Sequence, residues 1–332
     1  MLVPRVDITT LLSGPGLTGS GDDRAVAAAI DAACRDTGFF SIVGHGVDPA
    51  LRTRLDRLAR EFFALDEQEK GEIAMSHGGR AWRGWFPVGG ELTSGIPDRK
   101  EGIYFGAELG ADDRRVRAGV PLRGPNLFPR RPAALREAVL AYLETMTRLG
   151  HVVMRGVALA LGLPSDWFAR ELTADPTILF RIFSYPPTAG HDEDEWGVRE
   201  HTDYGLLTIV GQDDVGGLQV RSTRGWIDVP PDADAFVCNI GDMLERMTGG
   251  RYRSTPHRVR NTGGSTRLSF PFFFDPSWDA EVRAVPEIAE GARTEGAQAR
   301  WDRANVHELT GTYGDYLLSK VSKVFPALTT EL

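Results

Sequence analysis

Cysteine is nearly absent from this 332-residue chain, occurring only at Cys34 and Cys238. Both lie in apolar surroundings, "DAACRDTGFF" and "AFVCNIGD", which predicts buried, reduced thiols rather than a disulfide. Neither belongs to a C-x-x-C pair, so zinc fingers and thioredoxin-like redox chemistry are excluded. Lysine is scarce too, standing only at positions 70, 100, 320 and 323, and arginine carries almost all the positive charge. No run reaches the roughly 18–20 apolar residues of a membrane span. The N-terminal "MLVPRVDITTLLSGPG" lacks the apolar stretch of a secretory signal, and the expected location is the cytoplasm. A net charge of −8 argues against nucleic-acid and anionic-membrane partners. The expected partner is a small-molecule substrate, and the chain is expected to be a monomer or weak homodimer.

The chain also lacks internal repeats, low-complexity segments and glycine- and serine-rich linkers, which predicts one compact unit. Residues 22–36 have helical spacing and lead into a short strand in "TGFFSIVGHGV". The stretch "PALRTRLDRLAREFFALDEQEK" reads as a second helix, and glycine- and proline-rich 76–130 as loops and short strands. Residues 131–170 carry the strongest helix signal, a scaffold helix ended by Gly162 and Pro164. From about 177, β-rich segments follow one another at the spacing of a sandwich or barrel, and "VHELTGTYGDYLLSKVSKVF" closes the chain as a helix. The fold expected is mainly β with flanking helices, with regions at 1–130, 131–170, 171–280 and 281–332.

Within the β-rich part, "EHTDYGLLTIV" sets His201 and Asp203 two positions apart. Alternation along a strand would aim both side chains inward and Thr202 outward. His257, in "STPHRVRN", is the remaining histidine on a predicted core strand. Two imidazoles and one carboxylate suit divalent iron, but catalytic zinc uses the same set. A bare His-x-Asp is more often a pair of hydrogen-bonded polar residues. Ten residues after His257, "TRLSFPFFF" places Arg267 and Ser269 on one face of an apolar strand. A guanidinium and a hydroxyl there make a carboxylate receptor, with a structural salt bridge as the alternative.

In order and spacing, these residues resemble the iron(II)- and 2-oxoglutarate-dependent dioxygenases of the isopenicillin N synthase-like superfamily. The resemblance extends through "CRDTGFFSIVGHGV", "GWFPVGGELTSGIPDRKEGIYFG", "SYPP", "VCNIGDML" and "RLSFPFFFDP"; "QDDVGGLQV" and "MTGG" are similar to the microbial branch that includes the ethylene-forming enzyme. It implies a distorted jelly-roll (double-stranded β-helix) core. It further implies Fe(II) on His201, Asp203 and His257, the distal carboxylate of 2-oxoglutarate on Arg267 and Ser269 with Tyr185 joining them, and O2 as second cosubstrate. Where plant members often carry an asparagine, this chain has Phe183. Arg181 falls on the same side by strand alternation, either contacting cosubstrate or substrate or forming a salt bridge.

The activity implied is oxidation, most often hydroxylation, of a small molecule with formation of succinate and CO2, in secondary metabolism. Arg181, Phe183, Tyr204 and Phe272 are the candidate substrate contacts; Trp82, Trp85 and Phe274 are further aromatics that either line a pocket or pack the core. Acidic 191–196 reads as a solvated loop or a lid. An oxidase that does not consume 2-oxoglutarate and an ethylene-forming activity, to which Glu91 and Thr93 bear on their resemblance, are alternatives within the fold. Outside it stand a zinc hydrolase and a metal-free binding module.

Overall fold

The computed structural model describes residues 3–14, 21–187, 196–261, 263–285, 288 and 305–325. The N-terminal part is rich in helices because the apolar residues there recur at helical spacing. Strand β1 (Arg5–Asp7) is followed by α1 (Gly21–Asp36), which buries Val26, Ile30, Ala33 and Cys34 along one stripe, and then β2 (Phe39–Val43). Helix α2 (Pro49–Phe63) starts on Asp48, whose side chain accepts from Ala50 N–H, with proline at its first position. The single helix expected from 49 to 70 is in fact two. Asp66 accepts from Glu69 N–H and caps a new helix, α3 (Glu67–Gly71), because an aspartate makes a better N-cap than helix interior.

The 76–130 region holds short strands, as expected: β3 (Gly84–Phe86), β4 (Leu92–Thr93), β5 (Ile96–Pro97) and β6 (Glu101–Gly106), then the short helix α4 (Arg114–Arg117). The scaffold helix α5 (Leu135–Ala160) buries Leu135, Val139, Tyr142, Met146, Leu149, Val153 and Val157, spaced three and four apart. A Cβ at Gly150 would collide with the Phe274 ring, so this glycine lets the helix lie directly against the sheet. Gly162, at φ 77, turns the chain out of the helix, and α6 (Trp167–Glu171) leads into the sheets.

The expected β-rich segments supply the strands that follow. They are β7 (Pro176–Tyr185), β8 (Val198–His201), β9 (Leu207–Gln212), β10 (Leu218–Ser222), β11 (Gly225–Val229) and β12 (Phe236–Ile240), then β13 (His257–Val259) and β14 (Arg267–Ser277) after helix α7 (Asp242–Met247). Eight strands form a large sheet in the order β1-β2-β12-β9-β14-β7-β6-β3, and β11-β10-β13-β8 form a smaller one. The two make up the double-stranded β-helix expected of the chain. The closing helix α8 (Tyr313–Val324) is shorter than anticipated: Thr312 caps it in a capping box with Asp315, and only a 3-10 turn, Val306–Glu308, lies before it. No described helix is long and apolar enough to cross a membrane.

Candidate metal and cosubstrate site

The smaller sheet brings the two histidines together. In the β13–β8 ladder His257 stands directly opposite His201, with ring centroids 4.2 Å apart. Asp203 does not share the strand with His201 as alternation had suggested. β8 stops at His201, and Asp203 sits in the connection to β9, where the Asp242 N–H holds its carbonyl at 2.8 Å. Thr202 also faces the cavity rather than away from it. Asp203 Oδ1 nevertheless lies 3.8 Å from His201 Nε2 and 3.7 Å from His257 Nε2, and the three candidate donor atoms fall within 4.8 Å of one another.

Neighbouring groups prepare these side chains to bind. His201 Nδ1 is 2.8 Å from the Arg199 carbonyl and His257 Nδ1 is 3.2 Å from that of Thr255, so each Nδ1–H donates and each Nε2 lone pair is left facing the cavity. Asp203 Oδ2 accepts from the Thr208 hydroxyl and, at 2.6 Å, from Asn239 Nδ2, leaving Oδ1 toward the imidazoles. Burial keeps both imidazoles neutral, and with His201 beside it His257 is lowered to about 4. Burial alone would raise Asp203, but His257 and His201, in the protonated forms they take in acid, together with Asn239 and Thr208 outweigh it and hold the carboxyl below its ordinary range. Neutral imidazoles beside an ionised carboxylate are the protonation state that metal coordination demands. Two nitrogen donors and one oxygen donor on one face fit divalent iron.

Across the cavity Arg267 is 1% exposed. One nitrogen, Nη2, donates to Gln212 Oε1 at 3.2 Å; Nε and Nη1 have no hydrogen-bond partner. The guanidinium lies 4.8 Å over the Tyr185 ring, and the Tyr185 hydroxyl is 3.2 Å from Ser269 Oγ. A buried cation with two open donors beside two hydroxyls calls for an anion, and a carboxylate matches the fork. All six residues line a cavity of about 590 Å³.

Of the expected substrate contacts, Arg181, Phe183 and Tyr204 line this cavity and Phe272 does not. Phe272 is fully buried on the other side of β14, against Phe180 and Ile209, because the inward row there is Arg267, Ser269, Pro271, Phe273 and Asp275. Phe274, Trp82 and Trp85 are likewise core residues. Residues 191–195 of the acidic stretch lie outside the described residues, while Trp196 takes the Arg258 guanidinium 4.2 Å over its ring.

Several cavity groups went unnoticed in the sequence. Lys100 is buried against Glu91 at 3.0 Å and Asp98, and Tyr104 donates to Glu91. Asp275 accepts from the Leu206 N–H at 3.2 Å and from the Tyr313 hydroxyl, and burial pushes its carboxyl up to about 7. Asn239, a polar residue inside the apolar run "AFVCNIGD", was a visible signal.

Residues 176–276 match the 2OG-Fe(II) oxygenase superfamily, and residues 3–131 match the region described as non-haem dioxygenase in morphine synthesis N-terminal. A Dictyostelium discoideum protein named "probable iron/ascorbate oxidoreductase" is 48% identical over 92% of this chain and 90% of its own. A homoarginine-6-hydroxylase of Arabidopsis thaliana is 36% identical over 97% of each chain, and a 1-aminocyclopropane-1-carboxylate oxidase of Dictyostelium mucoroides is 36% identical over 98% of this chain and 95% of its own. Among solved structures, the rice dioxygenase for auxin oxidation has a TM-score of 0.69 at 27% identity, covering 99% of both chains. A full-length Neurospora crassa protein in complex with alpha-KG, at 24% identity, shares the fold with a TM-score of 0.77 over 96% of this chain and 95% of its own. By sequence across nearly its whole length, and by fold, the chain belongs to the 2OG-Fe(II) oxygenase superfamily.

Proposed function

We propose that His201, Asp203 and His257 hold the iron of this 2-oxoglutarate-dependent dioxygenase, and that Arg267, Ser269 and Tyr185 hold the distal carboxylate of 2-oxoglutarate. The observation that carries this reading is convergence: three donor atoms within 4.8 Å and a buried guanidinium with two open nitrogens face one cavity. When bound, the iron activates O2 and supplies the oxidising chemistry that a C–H bond requires. The protein orients the reactants and excludes water. Arg267 fixes the far end of the cosubstrate, Ser269 and Tyr185 add hydroxyls to the same carboxylate, and Asn239 and Thr208 keep the Asp203 carboxylate turned inward. In the net reaction substrate C–H, 2-oxoglutarate and O2 give substrate C–OH, succinate and CO2.

Arg181, Phe183 and Tyr204 are the proposed substrate-facing residues. Residues 171–280 supply the catalytic core in this reading, while 1–130 and 281–332 supply the cavity mouth; Leu92, Lys320 and Lys323 at its lining support that division. The relatives named as homoarginine-6-hydroxylases make basic amino acids the first substrates to try. A cytoplasmic enzyme of secondary metabolism, monomeric or weakly dimeric and without nucleic-acid or membrane partners, accords with the net charge of −8.

A second reading is an oxidase that does not consume 2-oxoglutarate, favoured by the 1-aminocyclopropane-1-carboxylate oxidase relatives. A ferrous-iron assay that quantifies succinate against oxidised product separates the two. One succinate per product supports the dioxygenase; product without succinate overturns it.

A further inference from the structure

We propose that Arg181 is a second carboxylate receptor, and that the primary substrate of this oxygenase carries a carboxylate which Arg181 binds. The inference rests on the assignment of Arg267, Ser269 and Tyr185 to the cosubstrate.

Three observations carry it. Arg181 lines the cavity on the same strand as Phe183 and Tyr185, and Arg267 stands opposite Tyr185 in the β14–β7 ladder. The four steps from Arg181 to Tyr185, at ~3.3 Å each, span about 13 Å of the wall, so the two guanidinium-bearing positions lie at opposite ends of one strip. The Arg181 guanidinium is clamped between two aromatic faces, 4.0 Å from the Tyr104 ring centroid and 4.6 Å from that of Phe273, and its buried Nε has no hydrogen-bond partner. Stacking of this kind restrains the planar fork in place, where a lysine would stay mobile.

No described carboxylate pairs with it. Glu91, whose charge acts on Arg181, is itself taken up by Lys100 at 3.0 Å and by the Tyr104 hydroxyl. Outside the metal and Arg267 subsites, the cavity lining holds Lys100, Arg181, Lys320 and Lys323 against Glu91 and Asp275, with Asp98 behind the lining on Lys100. Burial raises the Asp275 carboxyl to about 7, and even its full charge would leave these lining groups with a positive balance. The surplus is positive, which disfavours a purely cationic substrate and favours one presenting an anion. Aromatic and aliphatic walls at Phe183, Tyr204 and Val210 suit a carbon skeleton beside that anion.

The test uses the full-length protein loaded with Mn(II) and 2-oxoglutarate. Calorimetric titrations compare matched pairs, arginine with argininamide, homoarginine with its carboxamide, and phenylalanine with phenylalaninamide. At least one acid is expected to bind about tenfold or more tightly than its amide, the usual scale of a charge-assisted fork contact. Arg181→Gln abolishes that preference while the 2-oxoglutarate Kd stays within about twofold, and Arg181→Lys, which keeps the charge and loses the fork, falls between. Failure of every acid to outbind its amide, or a preference that survives Arg181→Gln, overturns the inference. So does a large loss of 2-oxoglutarate affinity in Arg181→Gln, which would assign the residue to the cosubstrate. Failure of 2-oxoglutarate to bind the unmodified protein would instead overturn the cosubstrate assignment.

Discussion

Tyr313 on the C-terminal helix donates its hydroxyl hydrogen to Asp275, whose other oxygen accepts the Leu206 N–H three residues past Asp203. One turn later Tyr316 donates to Asp242 at 2.8 Å, and the Asp242 N–H in turn holds the Asp203 carbonyl. The C-terminal helix is thus clasped to both sides of the segment that carries the candidate carboxylate ligand. A Cβ at Gly205 would run into the Asp275 carboxyl, so the clasp also dictates glycine at that position.

The Asp275 carboxyl gives the fold a pH dependence of unusual sign. Burial raises its folded pKa to about 7, against about 4 in the unfolded chain. Because the folded state holds the proton more tightly, the associated stability is present in full below about pH 4 and is lost as pH rises to about 7. Asp275→Asn mimics the protonated form, with Nδ2 placed to donate to the Tyr313 oxygen. Scanning calorimetry from pH 5 to 8 should show the thermal midpoint of the unaltered protein falling more steeply than that of the variant.

Asn239 and Thr208 touch no metal position, yet both fix Asp203 Oδ2. Asn239→Ala and the near-isosteric Thr208→Val should each weaken Mn(II) binding by roughly 10- to 100-fold, the range seen for partners that orient a ligand. Calorimetric metal titration measures it, with the proposed 2-oxoglutarate contacts at Arg267 left in place.

If Arg267 receives the cosubstrate as proposed, it should have opposite effects on stability and on function. Its unpartnered nitrogens in a buried site cost the unliganded fold free energy. Arg267→Met should therefore raise the melting temperature of the ligand-free protein and eliminate the rise that 2-oxoglutarate induces in the native sequence. A melting temperature that falls without ligand would contradict this account.

Phe272 and Phe273 are sequence neighbours with different consequences. Phe272→Ala removes a fully buried ring and should cost about 3–5 kcal/mol in chemical denaturation, with the substrate KM of the folded fraction little changed. Phe273→Ala opens the cavity wall beside Arg181, and its larger effect should be on KM.

The same pair shows where the sequence was legible. Arg267 and Ser269 already set the parity of β14, and carrying it forward selects Phe273 and Asp275; the unbroken phenylalanines at 272–274 hid that alternation. The histidine pair was readable because His257 falls on an apolar strand. His201 and Asp203 do lie side by side, but not by sharing a strand, since "VREH" has no apolar alternation to mark a strand end. The break at Asp66 shows a local capping preference overriding a continuous helical pattern. Strand alternation already set Arg181 beside Phe183 and Tyr185, whereas nothing in the sequence marked Lys100, which only tertiary packing against Glu91 buries.

The donors of the candidate metal site belong to two different layers. His201 and His257 are carried by the small sheet, whereas Asp203 is braced by Thr208 and Asn239 of the large one. An ion shared among them is a suture across the sandwich. Its release would unfasten two layers from each other as well as remove a reagent, so on the proposed assignment free ferrous iron would set how firmly the barrel is closed.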